Sequence, residues 1–438
     1  MTMRHWRSAF WLGIYFIIVT APLLAMLIEP PPGRGFWREF AVGLGFAGLS
    51  MMGLQFFLTG RFQHLTAPYG IDVVYHFHRN ISLIAFVFLF LHVAVLLSAS
   101  PDLFLLLAPA AAPVWMVTGL ISFGAFIVII ITSLYRLKLG LPYEVWRIIH
   151  GYVSVLAVLL ALLHIIGIDY YTEGPVKRGI WMAMAAAWLL ALVHVRIIKS
   201  CRMLRRPYIV EEVVPEHGRS WSLRLRPEGH EGMDFKAGQF AWLTLGRSPF
   251  AITEHPFSFA SSALEQGGLR LTVKELGDFS SRIGATRTGT RAYLDGPYGS
   301  FTIEGRDAPG FCFIAGGVGI TPIMSILRTM ADRGDRRPVL LLYGSKNWDD
   351  VTFREELERL RQRLRLQLVH VLEEPPPDWT GEQGRITVEL MAAYLPENRM
   401  ELEYFICGPA PMQKAIQRAV VKLGLPTENI HSESFNFV

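Results

Sequence analysis

The 438 residues are 51% hydrophobic and 18% charged, against about 25% charged in an ordinary soluble domain, and the apolar excess lies almost entirely before Cys201. A formal charge of +5 is too small to argue for a nucleic-acid partner. Three distant cysteines, Cys201, Cys312 and Cys407, exclude a disulfide scaffold, a c-type haem attachment and an iron–sulfur cluster of the usual spacing.

A membrane span needs roughly 20 predominantly apolar residues. Six stretches qualify, near 8–28, 36–58, 76–98, 114–134, 145–168 and 179–198. The first begins like a signal peptide, but no small-residue cleavage site follows it and more spans do, so it reads as a transmembrane helix. Basic residues alternate sides. Arg4 and Arg7 precede the first span, Arg61 follows the second, Arg136 and Lys138 follow the fourth, and Lys199, Arg202, Arg205 and Arg206 follow the sixth. The positive-inside rule then places both termini in the cytoplasm.

Histidine is the informative residue in this half. The third span carries His78 and His92, and the fifth carries His150 and His164, each pair 14 residues apart. On an α-helix that spacing is about 21 Å of rise and about 1400° of rotation, which returns to within about 40° of one face. Each helix therefore offers one imidazole toward each side of the membrane. Two such helices facing each other can clamp two haems by bis-imidazole ligation, with His78 and His150 on the inner haem and His92 and His164 on the outer. His76 falls on the opposite face and reads as interfacial, His64 lies in a loop, and His194, near the end of the last span, reads as interfacial, with a role at a haem propionate as the alternative. Arg79 reads equally as a propionate partner or as a positive-inside anchor.

After Arg206 the pattern changes to strands of alternating polarity as far as about Phe301, an antiparallel barrel. Beyond it strand and helix alternate, which is the pattern of a parallel sheet. Four motifs sit where chemistry needs them. His255-Pro256-Phe257-Ser258 offers a hydroxyl and an aromatic to a flavin ring. Gly277-Asp278-Phe279-Ser280 offers amides and a hydroxyl to a pyrophosphate. Gly316-Gly317-Val318-Gly319-Ile320-Thr321-Pro322 links the first parallel strand to its helix and permits close approach of a phosphate. Cys407-Gly408-Pro409 ends a later strand at the same edge, where open sheets bind ligands. Lys346, after the second parallel strand, is placed for a ribose 2′-phosphate, with Arg385 to assist.

Together with Asp295-Gly296-Pro297-Tyr298-Gly299, these motifs make the chain resemble the NADPH oxidase and ferric reductase superfamily. The resemblance covers nearly everything after the first span. It implies a six-helix transmembrane haem bundle (1–201) fused to a ferredoxin-reductase-like FAD β-barrel (202–305) and a nucleotide-binding α/β domain (306–438). It further implies that His255, Pro256, Phe257, Ser258, Val273, Lys274, Gly277, Asp278, Phe279 and Ser280 hold FAD. Gly316, Gly317, Gly319, Thr321, Pro322, Lys346, Cys407, Gly408 and Pro409 then face NADPH or NADH. Ser258, Cys407 and Phe435 are the expected catalytic residues, with Phe435 following Glu433 and Ser434 as a ring laid on the flavin; Phe437 is the alternative stacker.

The implied activity is electron transfer from a nicotinamide nucleotide through FAD and two haems b to an acceptor on the outer face. Flavin converts a hydride into single electrons, and bis-histidine ligation leaves no open iron site, so reduction occurs at the haem edge. Oxygen, giving superoxide, is the expected acceptor. Alternatives are a ferric or cupric chelate, or a periplasmic partner protein. The outer loops hold no His, Cys or acidic cluster, and Arg34, Arg38, Lys177 and Arg178 would attract an anion. Calcium-binding loops and Pro-rich docking tails are lacking, as in the compact prokaryotic members. The resemblance therefore implies a six-pass protein of the bacterial inner membrane, in contact with lipid and active without an obligatory regulatory subunit.

Overall fold

The computed structural model describes residues 3–62, 70–100, 102–103 and 112–433, which excludes His64 and the tail that carries Ser434, Phe435 and Phe437. The chain divides between Ile198 and Lys199 into two compact units.

The first unit is helical: α1 (Met3–Ala25), α2 (Phe36–Leu58), α3 (Ile71–Ala99), α4 (Val114–Leu134), α5 (Tyr143–Ile168) and α6 (Pro175–Val193), which ends in a π-helical turn, His194–Ile198. Hydroxyls inside the helices bond back to the preceding turn, Ser50 to the Phe46 carbonyl, Thr132 to Val128 and Ser154 to His150, so few polar groups face an apolar environment. Among the described residues five helices, α2 to α6, are long and apolar enough to cross a membrane. The first expected span is also helical, but its apolar portion, Ala9–Ala25, is shorter than a crossing needs. Burial is uneven, and this places the core. Positions along α2 from Ala41 to Gln55 are largely buried, whereas α3, α4 and α5 turn Phe90, Ile121 and Leu159 outward. Exposed large apolar side chains on these three helices are what a bilayer requires.

The second unit begins with a short helix, α7 (Lys199–Leu204), and holds two sheets. The antiparallel one comprises β1 (Tyr208–Glu216), β2 (Ser220–Pro227), β3 (Phe240–Leu245), β4 (His255–Ser258), β5 (Leu269–Lys274) and β6 (Arg291–Tyr298), in the order β4-β3-β6-β1-β2-β5. A bridge between Phe259 and Leu271 ties the end of β4 back to β5, so the sheet curls on itself around Leu223, Leu225, Leu243 and Leu271. The second sheet is parallel throughout: β7 (Phe311–Gly316), β8 (Val339–Ser345), β9 (Leu366–Leu372), β10 (Glu382–Gln383), β11 (Glu403–Cys407) and β12 (Ile430–Glu433), in the order β10-β9-β8-β7-β11-β12. Its helices are α8 (Ile320–Arg333), α9 (Arg354–Arg363), α10 (Val388–Tyr394) and α11 (Ala410–Lys422). Adjacent β7 and β11 end at one edge, which brings the glycine-rich turn beside Cys407-Gly408-Pro409.

Candidate functional site

The four intramembrane histidines share one feature: each Nδ1 meets an oxygen on a neighbouring helix. His92 Nδ1 lies 2.7 Å from the Ala41 carbonyl, and His164 Nδ1 lies 2.7 Å from the Trp115 carbonyl. A carbonyl only accepts, so each of these nitrogens carries the proton. His78 Nδ1 lies 2.8 Å from Gln55 Oε1, and the amide nitrogen of Gln55 donates to the Met51 carbonyl at 2.8 Å, which orients the amide oxygen toward the histidine. His150 Nδ1 lies 3.3 Å from Ser133 Oγ, whose own proton goes to the Ile129 carbonyl at 2.6 Å. All four rings therefore present an Nε2 lone pair, the tautomer of a metal ligand anchored through its other nitrogen.

The outer rings, His92 and His164, face each other with centroids 6.5 Å apart and planes at 81°. Two imidazoles each bound to one metal at about 2.0–2.1 Å have centroids roughly 6.4 Å apart, so the spacing fits a single ion between them. Among the described residues no group of three or more His, Cys, Asp or Glu side chains could hold a bare ion. A pair of histidines suits iron in a porphyrin, which brings four nitrogens of its own. His76 and Arg79 are exposed, and the His194 ring packs against Phe62, centroids 5.2 Å apart.

On the side where α1 ends and α2 begins, the expected anion-attracting cations are engaged. Lys177 is 7% exposed and donates to the Glu29 carbonyl at 2.8 Å, and Arg178 pairs with Asp169 at 2.6 Å. Arg34 stacks 3.2 Å above the Tyr170 ring, and Arg38 reaches Ser100 Oγ at 3.4 Å.

In the soluble unit the motif 255–258 is itself a strand, β4, paired antiparallel with β3. It meets the motif 277–280 through rings: His255 stacks on Phe279 at 4.0 Å, and Phe257 lies 6.0 Å from the same ring. Ser258 is buried beside Phe240, its partner in β3, while Val273 and Lys274 end β5. The Ser280 hydroxyl is taken up by its own turn, accepting from the amides of Leu276 and Gly277 at 2.9 Å and donating to the Gly277 carbonyl. The segment after it is a short 3-10 helix, so Asp278 and the Gly277 amide stand in a capped turn, not at an open α-helix terminus.

At the edge of the parallel sheet the backbones touch. A Cβ on Gly319 would lie 2.2 Å from the Cys407 carbonyl, and one on Gly316 would lie 2.5 Å from Met412 Sδ and 2.9 Å from Pro409 Cδ. Glycine is required for these turns to stand side by side. Thr321 and Pro322 are buried in the first turn of α8, with the Thr321 hydroxyl donated to the Val318 carbonyl at 2.8 Å, and Gly317 takes a positive φ of 52°. Cys407 is 1% exposed. Burial, reinforced by Glu433, pushes its thiol well above the usual range, so it presents a neutral thiol. Gln413 joins this turn to the last strand, donating to the carbonyls of Gly408 and Glu433 at 2.9 and 2.8 Å.

Lys346 is not alone. The start of the next loop runs alongside it, Glu374 N–H donating to the Lys346 carbonyl at 2.7 Å. The side chains then pair, Lys346 with Glu374 at 3.5 Å and Arg385 with Glu373 at 3.0 Å. Sequence reading missed these two carboxylates, and it missed Gln55, for which the signal was an amide inside an apolar span. It also gave Lys199 only a topological role. In the structure Lys199 donates to Tyr298 Oη at 2.9 Å, and Tyr298 donates to Asp295 Oδ1 at 2.7 Å, which locks the turn at 295–299 to α7.

Residues 44–161 match the family described as ferric reductase like transmembrane component, and residues 313–418 match the oxidoreductase NAD-binding domain. The chain is 34% identical over 165 residues to NADH-cytochrome b5 reductase 1 of Debaryomyces hansenii, covering 36% of this chain and 58% of that protein. It is 34% identical over 167 residues to NADH-cytochrome b5 reductase 2 of Aspergillus fumigatus, covering 37% and 52%. The chain thus spans between half and two-thirds of these relatives. Among solved structures, flavohemoglobin from Malassezia yamatoensis aligns at a TM-score of 0.51 and 16% identity over 95% of this chain and 98% of that one, a likeness of fold. The chain thus joins a ferric-reductase-like transmembrane domain to an oxidoreductase NAD-binding domain, the combination found in the NADPH oxidase and ferric reductase superfamily.

Proposed function

We propose that this chain moves electrons from NADH or NADPH, by way of FAD and two haems b, across a membrane to oxygen, with superoxide as product. The observation that carries the reading is the uniform state of the four histidines. Every Nδ1 has an oxygen partner, every Nε2 is left with its lone pair, and the outer two stand 6.5 Å apart. When bound, flavin takes up a hydride and releases electrons singly, and haem carries them one at a time.

The chain's own tasks are positional. Gly316, Gly319 and Gly408 let the turns after β7 and β11 stand side by side, Gly317, where a Cβ would meet nothing within 4 Å, is the position left open to a nucleotide, and the neutral Cys407 thiol adds no charge beside it. The stack of His255, Phe257 and Phe279 gives an aromatic wall to the flavin site. His78 with His150, and His92 with His164, would hold the two haems, which would supply single electrons to the acceptor. The balance is one nucleotide oxidised, two oxygens each reduced by one electron, and one proton released. Oxygen needs no charged docking group, and the cations of the α1–α2 and α5–α6 connections already have partners. The family description of residues 44–161 favours a second reading, reduction of a ferric chelate.

One assay separates them. Purified protein is supplied with NADH or NADPH, and cytochrome c reduction is followed with and without superoxide dismutase, beside reduction of ferric citrate trapped by a ferrous chelator. Dismutase-sensitive reduction is the expected result. Dismutase-insensitive reduction of ferric citrate alone would select the second reading, and neither reaction would point to a protein acceptor.

A further inference from the structure

The two outer histidines are held by the same device, built twice. His92 on α3 donates Nδ1–H to the Ala41 carbonyl of α2, and His164 on α5 donates to the Trp115 carbonyl of α4. In each case the residue four positions further along the accepting helix is glycine, Gly45 and Gly119. A helical carbonyl already accepts from the N–H four residues on, and the side chain of that fourth residue stands beside its second lone pair. A Cβ on Gly45 would lie 2.7 Å from Nδ1 and 2.9 Å from Cε1 of His92. A Cβ on Gly119 would lie 2.5 and 2.9 Å from the same atoms of His164. The near-equal distances on two separate helical pairs are a repeated solution to one requirement, an imidazole laid flat against a helix so that its proton reaches a backbone oxygen. The inner histidines are held differently, by the side chains of Gln55 and Ser133.

We propose that Gly45 with the Ala41 carbonyl, and Gly119 with the Trp115 carbonyl, are positioning residues that fix the tautomer and ring orientation of the outer histidines. The inference rests on reading His92 and His164 as haem ligands. A methyl group at 45 or 119 lies against the ring itself, and both backbones are helical, so ring or helix must shift. The Nδ1–H bond is then lost, and with it the anchoring that keeps Nε2 aimed and basic.

The test uses the full chain in detergent. Gly45→Ala and Gly119→Ala are compared with Gly43→Ala and Gly124→Ala on the same two helices. At position 43 a Cβ meets only Leu23 Cδ2 at 3.8 Å, and at 124 nothing lies within 4 Å. Alanine is the better helix former, so helix propensity alone would favour all four variants. Haem per flavin is measured by pyridine haemochrome, and low-spin iron signals by electron paramagnetic resonance. Retained flavin and ferricyanide reduction by NADH report that the soluble unit is intact. Expected for Gly45→Ala and Gly119→Ala is a loss of about half the haem, or a shifted signal from one of two iron centres, with the control pair unchanged. Wild-type haem content and signals in Gly45→Ala and Gly119→Ala would overturn the cradle and leave the ligand assignment standing. Equal losses in Gly43→Ala and Gly124→Ala would overturn it as well. Wild-type protein without haem would remove the ligand assignment, and the cradle with it.

Discussion

The ring of His255 lies on the ring of Phe279, centroids 4.0 Å apart and 23° from parallel. Two motifs separated by about twenty residues of sequence thereby become one aromatic surface, with Phe257 at its margin. A stacked aromatic pair is worth about 0.5–1.5 kcal/mol beyond its area, so Phe279→Leu is expected to weaken FAD binding by about 3- to 10-fold. Flavin fluorescence titration of the full chain measures it. Unchanged affinity would show that the stack is core packing with no bearing on the flavin.

Removal of an outer imidazole is a sharper intervention than crowding it. On the proposed reading, His92→Ala and His164→Ala are each expected to lower haem content by about half, since one imidazole in place of two would hold the group poorly. Acceptor reduction should stop while dye reduction by the soluble unit continues. A His92→Ala protein with full haem and full acceptor reduction would contradict the assignment.

Pairing of Lys346 with Glu374 bears on nucleotide choice. A cation is suited to a ribose 2′-phosphate, and a carboxylate to a free 2′-hydroxyl. Both ends of this exposed pair are available, so the wild type is expected to use NADH and NADPH alike. Exposed pairs are worth up to about 1 kcal/mol, so Glu374→Ala should raise the NADPH to NADH ratio of kcat/KM by about threefold, and Lys346→Ala should lower it similarly. If neither substitution moves the ratio, the 2′ position lies elsewhere.

His370 in β9 supplies a pH dependence. Its ring is wedged between Trp348 at 5.2 Å and Tyr343 at 5.8 Å, and among the described residues neither ring nitrogen has a hydrogen-bond partner. Burial lowers its pKa to about 4 from 6.5, Glu358 opposing and Arg361 assisting. Between those values the unfolded chain binds a proton that the folded one does not. Stability is therefore expected to be full above pH 6.5 and to fall as pH drops toward 4, by up to about 3 kcal/mol. His370→Phe should flatten that part of the profile in thermal melts across the range. A variant that loses stability with acid as steeply as the wild type would assign the dependence to other groups.

Much of the membrane half was legible without coordinates because helix geometry is periodic. A 14-residue spacing on each of two apolar helices determines one face and two levels, and His78, His92, His150 and His164 needed no tertiary information to be singled out. The same holds for the turn at 316–319, where a strand, three glycines and a helix start announce close approach. What no local pattern could supply was the partner of each group. The oxygens that orient the four rings come from residues 23, 51, 17 and 49 positions away, and two of them belong to the backbone, which carries no sequence signature. Glu373 and Glu374 reach Arg385 and Lys346 only because β9 lies parallel beside β8. Periodicity places a side chain on a face of its own element. The packing of that element against another decides what the face meets.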